Sequence, residues 1–398
     1  MRVIAFVNPA SGGNKGALLL SLLRNHIGNE NVFDIIAEKG PDRGLSDRAS
    51  DPSFDVICLV AGGDGTFSWV ANAVEKRNLT HVSLVVVPLG SGNDMSRALG
   101  WGKKYPGEQR VITSVKRIME SPVDQLAAGK LDIWRLAALD AKHQRASVDD
   151  HGIEHGARPI VCNYLSLGAD AYVELRFNQM RWQNPHKHKS RIGNFKAHAM
   201  VGLKYMCQPK SRKIFISDHV QSLDVDGEPI TLPAYLQALI FLNIPSYGAG
   251  TQPWGKVGQK ARADLSNGRT VTDMYVDDQR FEVIGLRSLK HFGMIRLLGA
   301  HGVRIAQGSR LKLTLKSEST PFQADGEPWE QHGGTVTLEP GNKVGVLRGP
   351  VWKAYSRKRA KFDPSNSQPD SDTSSSSDGH SDGEPTQEPQ PAPAPDNQ

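Results

Sequence analysis

Cysteine and long apolar runs are scarce in this chain. Three of its 398 residues are cysteine (Cys58, Cys162, Cys207), and none stands in a CxxC pair. Scattered thiols exclude a disulfide framework and a cysteine-rich zinc module, and they suit a reducing compartment. No apolar stretch approaches the ~18 residues that span a bilayer. The longest, Ala234–Ile244, contains Gln237 and reads as a core strand. The apolar run after Arg2 meets Asn8-Pro9 too early for a signal peptide. A chain with no targeting peptide and no membrane span is expected. Two familiar phosphate-binding signatures are also missing, GxxxxGK[ST] and GxGxxG.

Charge is unevenly divided between the body of the chain and its end. Residues 363–398 hold eight acidic side chains and no Lys or Arg, whereas the whole chain carries +6. The body is therefore strongly basic, which suits nucleotides, acidic membranes or nucleic acid. No nucleic-acid-binding motif accompanies the charge, so nucleic acid is not expected as a partner. The tail is rich in Ser, Pro, Asp and Gly and cannot bury enough apolar surface to offset its ordering entropy. It is read as disordered.

What is present centres on Val56–Phe67. A continuous apolar run, Val56–Ala61, reads as a strand buried on both faces. It ends in Gly62-Gly63-Asp64-Gly65-Thr66, and apolar residues then recur at helical spacing from Phe67 to Val74. Glycines let backbone N–H groups approach an anion, and a helix N-terminus adds partial positive charge. Asp64 can hold magnesium, which favours carboxylate and phosphate oxygens. The competing account is a tight turn with an aspartate cap.

Two further units repeat the pattern. Arg2–Val7 leads into Asn8-Pro9-Ala10-Ser11-Gly12-Gly13-Asn14-Lys15-Gly16, and Leu84–Val87 leads into Pro88-Leu89-Gly90-Ser91-Gly92-Asn93-Asp94. In a parallel sheet the C-terminal strand ends share one edge, so the three turns converge. That convergence points to a nucleotide phosphate site. From about Leu131 short apolar runs separated by turns predict an antiparallel β domain, interrupted by helices near 170–180 and 195–205. Ala141–Arg158 reads as a surface loop. The expected organisation is 1–130, an α/β domain; 131–350, a β-rich domain whose final strands return to the first; 351–362, a basic segment; and 363–398, the tail.

The three turns, in order and spacing, resemble the diacylglycerol kinase family. So do Asn163–Ala171, Leu242–Gly248, Pro253-Trp254-Gly255, Asp277-Asp278 and Phe322–Trp329. Asp94 is the feature that separates this form from sphingosine and ceramide kinases. The resemblance spans roughly residues 1–350. It implies a three-layer α/β upper domain like that of phosphofructokinases and NAD kinases, a sandwich-like β domain, and a cleft between them. It implies ATP and magnesium as cofactors, diacylglycerol as substrate and phosphatidic acid as product. It also implies a cytoplasmic, peripherally membrane-associated protein. Ala10 departs from the pattern, since relatives often carry lysine there; Lys15 is the candidate replacement. Cysteine-rich regulatory modules are absent, as in compact plant-type members.

Roles follow from phosphoryl-transfer chemistry, which needs charge neutralisation, alignment and a proton acceptor. Backbone N–H groups around Ser11, Gly12, Gly62, Gly63, Gly65, Gly90 and Gly92 are expected to hold phosphates, assisted by Asn8, Thr66 and Asn93. Asp64 and Asp94 are the magnesium candidates; capping of the helix after each turn is the alternative. The family's DGE motif makes Glu327 the expected general base, with Asp64 second. Asp325-Gly326 is also ordinary hairpin chemistry, as its near copy Asp226-Gly227 shows. Asp277 is a candidate for a second, structural magnesium, and a solvated turn accounts for it equally well. Arg176, Arg181, Trp182, His186–Lys189 and Arg191, with the cluster Lys353–Lys361, suit an anionic membrane surface. Two competing functions remain: a sphingoid-base or ceramide kinase, and a non-catalytic lipid- or nucleotide-binding relative.

Overall fold

The computed structural model describes residues 1–13, 15–139, 160–184, 191–257 and 270–349. The loop at 141–158, His186–Lys189, the basic segment and the acidic tail lie outside the described residues.

Sheet one begins with four strands that run parallel: β1 (Arg2–Val7), β2 (Val32–Asp34), β3 (Val56–Gly62) and β4 (Val82–Pro88). Both faces of β3 are buried, as its unbroken apolar sequence requires. Ile4, Phe6, Cys58 and Val60 join one core, and Val3, Ala5, Ile57 and Leu59 join the other. The helices α1 (Lys15–Ile27), α2 (Asp42–Arg48), α3 (Asp64–Lys76), α4 (Asp94–Ala98) and α5 (Glu108–Glu120) complete this half. Residues of α3 enter the first core, and α5 with α1 the second, which makes three layers.

A fifth strand, β5 (Ala128–Leu131), also belongs to the first sheet. The first of the apolar runs that begin at about Leu131 is broken at Asp132-Ile133, and β6 (Trp134–Leu139) belongs to the second sheet. The break is where the chain crosses: Asp132 N–H donates to Val276 O at 2.8 Å, outside either ladder.

The second sheet continues with β7 (Ile160–Val161), β8 (Tyr164–Gly168), β9 (Val220–Val225), β10 (Glu228–Ile230), β11 (Ala238–Leu242), β12 (Phe281–Leu286), β13 (Val303–Gly308), β14 (Leu311–Ala324) and β15 (Glu327–Pro340). Among the described residues its strands pair antiparallel throughout. The first half of β14 pairs with β9 and its end pairs with β8, with a register shift between Leu315 and Ser319. The sheet bends there, and side chains from both halves meet in one apolar core with Phe241, Phe281 and Trp329. Helices α6 (Ala169–Gln183), α7 (Arg191–Met206), α8 (Ile216–His219) and α9 (Leu289–Leu298) lie in this half. The last strand, β16 (Val344–Leu347), leaves the second sheet and inserts between β4 and β5. Two crossings, at Asp132 and after Pro340, therefore tie the halves together.

Candidate active site

The strand register aligns Val7 with Ala61, and Gly62 with Pro88. The three glycine turns therefore start at one level on one edge. Their bases are stitched by backbone bonds, Asn8 N–H to Ala61 O at 2.9 Å and Leu89 N–H to Gly62 O at 2.9 Å. Gly63 and Gly90 meet backbone to backbone: a Cβ on Gly90 would stand 2.5 Å from Gly63 Cα. Gly12, at φ 69°, faces Leu89 of the third turn. Asn8 folds its own turn, since its Oδ1 accepts from Ala10 N–H at 3.1 Å, and its Nδ2 reaches Thr66 Oγ1 at 3.4 Å. Asn93 is buried in the left-handed region at φ 53°. Its Nδ2 donates to Lys103 O at 3.2 Å, and its Oδ1 is buried without a protein partner.

Asp64 caps a helix, but not its own. Its Oδ1 accepts from Met95 N–H at 2.9 Å and its Oδ2 from Asp94 N–H at 3.1 Å, so it closes the N-terminus of α4 across the sheet edge. Burial, then the Asp94 charge, pushes its carboxyl up to about 6. Asp94 is 5 % exposed and caps nothing in its own turn. It binds a loop of the other half: Ser246 Oγ–H at 2.5 Å, Gly250 N–H at 2.8 Å and Ala249 N–H at 2.9 Å all donate to it. Gly92 lies beside both carboxylates, since its Cβ would stand 3.1 Å from each Oδ2.

The Asp325-Gly326 pair forms the two-residue turn between β14 and β15, with φ 51° and 85°, the left-handed values of a type I′ hairpin. Asp325 is 6 % exposed, and its carboxylate accepts four bonds. Ser68 Oγ–H of α3 and Cys162 N–H donate to Oδ2 at 2.8 and 2.9 Å, and Asn163 and Tyr164 N–H donate to Oδ1 at 2.7 and 3.0 Å. The hairpin tip is thereby held against α3, one turn from Asp64. The Asp325 charge reaches Asp64 and helps to raise its carboxyl. Glu327 opens β15 opposite Ala324 and is exposed.

Sequence reasoning named neither Arg97, Tyr164 nor Ser246 as site residues. Arg97 Nε donates to Gly92 O at 3.1 Å, and its guanidinium lies against Gly250. Tyr164 packs edge-on to Tyr247 with centroids 4.7 Å apart. Its phenol is pushed up first by burial and then by the charges of Glu174, Asp94, Asp325 and Asp64. Tyr247 donates to Asp170 Oδ2 at 2.5 Å. Arg97 had a local signal, one helical turn after Asp94; Tyr164 and Ser246 lie within family-like stretches, but no local pattern gave them a role.

Asp277 is not brought to this cluster. It pairs with Arg348 at 2.9 Å, where the chain crosses between sheets. Lys15 is directed over the Tyr105 ring at 5.6 Å.

The site fits a phosphate-borne cation. Among the described residues no group of three His, Cys, Asp or Glu side chains is placed to hold a metal. Asp64, with Asp94 beyond Gly92, is a sparse set of hard oxygens. It suits magnesium that completes its shell with phosphate oxygens and water. The glycine cradle and the unpartnered Asn93 Oδ1 suit a polar ligand at the turns.

Fold and site together define a two-part phosphotransferase type of architecture, with glycine turns on an α/β sheet and an aspartate-anchored hairpin reaching them from a β domain. Residues 2–128 match the diacylglycerol kinase catalytic domain and residues 160–328 the diacylglycerol kinase accessory domain. Diacylglycerol kinase 1 of Oryza sativa subsp. japonica is 31% identical over 83% of this chain and 74% of its own length. Diacylglycerol kinase 5 of Arabidopsis thaliana is 30% identical, covering 91% and 80%. The chain belongs to the diacylglycerol kinase family. Diacylglycerol kinase theta of Mus musculus is 35% identical over 93% of this chain, which spans only 36% of that relative. A solved Bacillus anthracis structure, provisionally assigned as a diacylglycerol kinase, shares the fold at TM-score 0.53 with 15% identity, over 88% of this chain and 95% of its own.

Proposed function

We propose that this chain transfers the γ-phosphoryl group of ATP to the free hydroxyl of 1,2-diacylglycerol, giving phosphatidic acid and ADP. The observation that carries the reading is the Asp325 anchor, which ties the hairpin bearing Glu327 to the helix that starts at Asp64.

The turns bind phosphate oxygens through backbone N–H groups, with Asn8, Thr66 and Arg97 adding donors. Gly63 and Gly90 have no side chains that would close this cradle. Asp64 and Asp94 would hold magnesium, which when bound would supply charge neutralisation on the phosphates. Asp94 is already bound by the 246–250 loop, so it acts mainly as a fixed charge that organises both halves around the nucleotide. Glu327 accepts the proton of the lipid hydroxyl as its oxygen attacks the γ-phosphorus. The new O–P bond forms, the bond to the β-phosphate oxygen breaks, and ADP leaves. Because diacylglycerol resides in membranes, the protein works at an anionic membrane surface as a peripheral enzyme.

The test is transfer of ³²P from γ-labelled ATP in mixed micelles offering diacylglycerol, sphingosine, ceramide or no lipid. Magnesium-dependent label in phosphatidic acid is expected. Label in sphingosine or ceramide instead, or ATP binding with no transfer, contradicts the proposal.

A further inference from the structure

The helix α9 is apolar on its outer face as well as on its inner one. Its inner residues His291 and Ile295 are buried. Its outer face carries Met294, Leu297 and Leu298, exposed by 47, 82 and 78 %. Lys290 lies on that same face, four residues before Met294. The inner side borders the 246–250 loop: Phe292 packs edge-on to Tyr247 at 5.6 Å, and Arg296 donates to Gly248 O at 2.7 Å. That is the loop whose next residues, Ala249 and Gly250, hold Asp94.

Exposed cations stand on α9 and its two neighbours: Lys290 on α9, Arg181 on α6, and Lys196 and Lys204 on α7. From Val283 to Ser317 there is no Asp or Glu, and there are seven Lys or Arg. From Leu175 to Ser217, spanning most of α6 and all of α7, there is again no acid, with ten Lys or Arg. These helices adjoin α9, since Leu289 packs on the cluster of Val173, Val201 and Tyr205. Trp182, Met200 and Leu203 are each at least half exposed on α6 and α7. A protein partner of ordinary composition would bury cations at a cost; an anionic lipid surface takes both the cations and the apolar side chains.

We propose that the outer face of α9, flanked by α6 and α7, is the membrane-docking surface, with Leu297 and Leu298 inserted among anionic lipids. Docking there sets the 246–250 loop, and so the cleft, against the bilayer that holds the lipid substrate. The proposal rests on the kinase reading for its purpose, but not for its test.

The test is co-sedimentation of the full chain with vesicles of phosphatidylcholine, with and without phosphatidylserine. Wild type is expected to bind the anionic vesicles, with binding weakened by salt. The double variant Leu297→Glu, Leu298→Glu is expected to lose at least about tenfold in affinity, since it replaces two inserted apolar side chains with charges that anionic lipid repels. Both positions are exposed, so its melting temperature should match wild type. Its turnover on a dispersed short-chain diacylglycerol should be unchanged while turnover on vesicle-borne substrate falls. Unchanged vesicle binding overturns the proposal. So does a wild-type dimer that the variant converts to monomer with vesicle binding intact, because a second copy would then cover the face. Vesicle binding that the variant loses, with no transfer by wild type to any lipid, sinks the kinase reading and leaves the docking surface standing.

Discussion

Gly90 shows how tightly the turns are set at the scale of single residues. Its backbone angles suit any residue, yet an added methyl would stand 2.5 Å from the backbone of Gly63. Gly90→Ala must push the two turns apart. Overpacking of this kind costs about 1–3 kcal/mol, and the loss falls on the phosphate cradle. Isothermal titration should show ATP bound roughly tenfold or more weakly, with a folded protein by circular dichroism; unchanged affinity would remove Gly90 from the cradle. The glycines and Asp64 were legible because each turn follows an apolar strand directly. The partners of Asp94 were not, since Ser246 lies 152 residues away. Local pattern offered a helix cap for both aspartates. The structure instead has Asp64 cap the neighbouring helix and Asp94 bind the opposite half.

At the scale of elements, two Asp-Gly hairpins make a controlled comparison. Asp226-Gly227 and Asp325-Gly326 have nearly the same turn, with φ 58° and 85° against 51° and 85°. Asp226 is exposed and accepts from Ser309 and Arg310 N–H at the surface. Asp325 is buried and accepts from α3 and from the Cys162–Tyr164 segment. Asparagine tolerates the left-handed turn in both. Asp325→Asn, however, aims an amide at buried donors and should cost about 3 kcal/mol, whereas Asp226→Asn should cost about 1 kcal/mol or less. Urea denaturation of both variants checks this; equal losses would mean that Asp325 is no anchor. The sequence showed both hairpins and could not rank them, because what separates them is the packing of α3 against the β domain. The same blindness ran Leu131, the last residue of β5, into β6: apolar residues resume directly after Asp132, and only the tertiary crossing divides the two strands.

At the scale of the whole molecule, the junction between the halves contains carboxylates, Asp132 and Asp278, that burial pushes above their ordinary range. Asp278, beside Asp132 and Asp277, is pushed up to about 6, chiefly by burial. Its folded value lies above the unfolded one of 3.8. Below pH ~4 both states are protonated and Asp278 contributes nothing. Between pH ~4 and 6 the unfolded chain ionises first, so stability falls, and above pH 6 the full penalty remains. Asp278→Asn keeps the bond to Arg280 N–H through its carbonyl oxygen. It should therefore melt higher than wild type at pH 7.5, by on the order of 1–2 kcal/mol after allowance for screening, and alike near pH 4. A lower melting temperature at pH 7.5 would show that the ionised carboxylate stabilises the junction. The broad plan of parallel sheet, antiparallel sheet and shared edge was legible from strand texture and glycine spacing. The junction chemistry was not, because Asp277 reads in sequence as a ligand pair with Asp278 and in the fold as the counter-ion of Arg348.

The proposed reaction is assembled from both halves, with the turns to hold ATP and the hairpin of the β domain to supply the base. The most direct measurement is the transfer rate of Glu327→Gln at saturating ATP and diacylglycerol, beside its ATP affinity. The predicted result is a fall of roughly 10²–10⁴ in rate with ATP bound as in wild type. Near-wild-type turnover would contradict it and return the base to another group, Asp64 first.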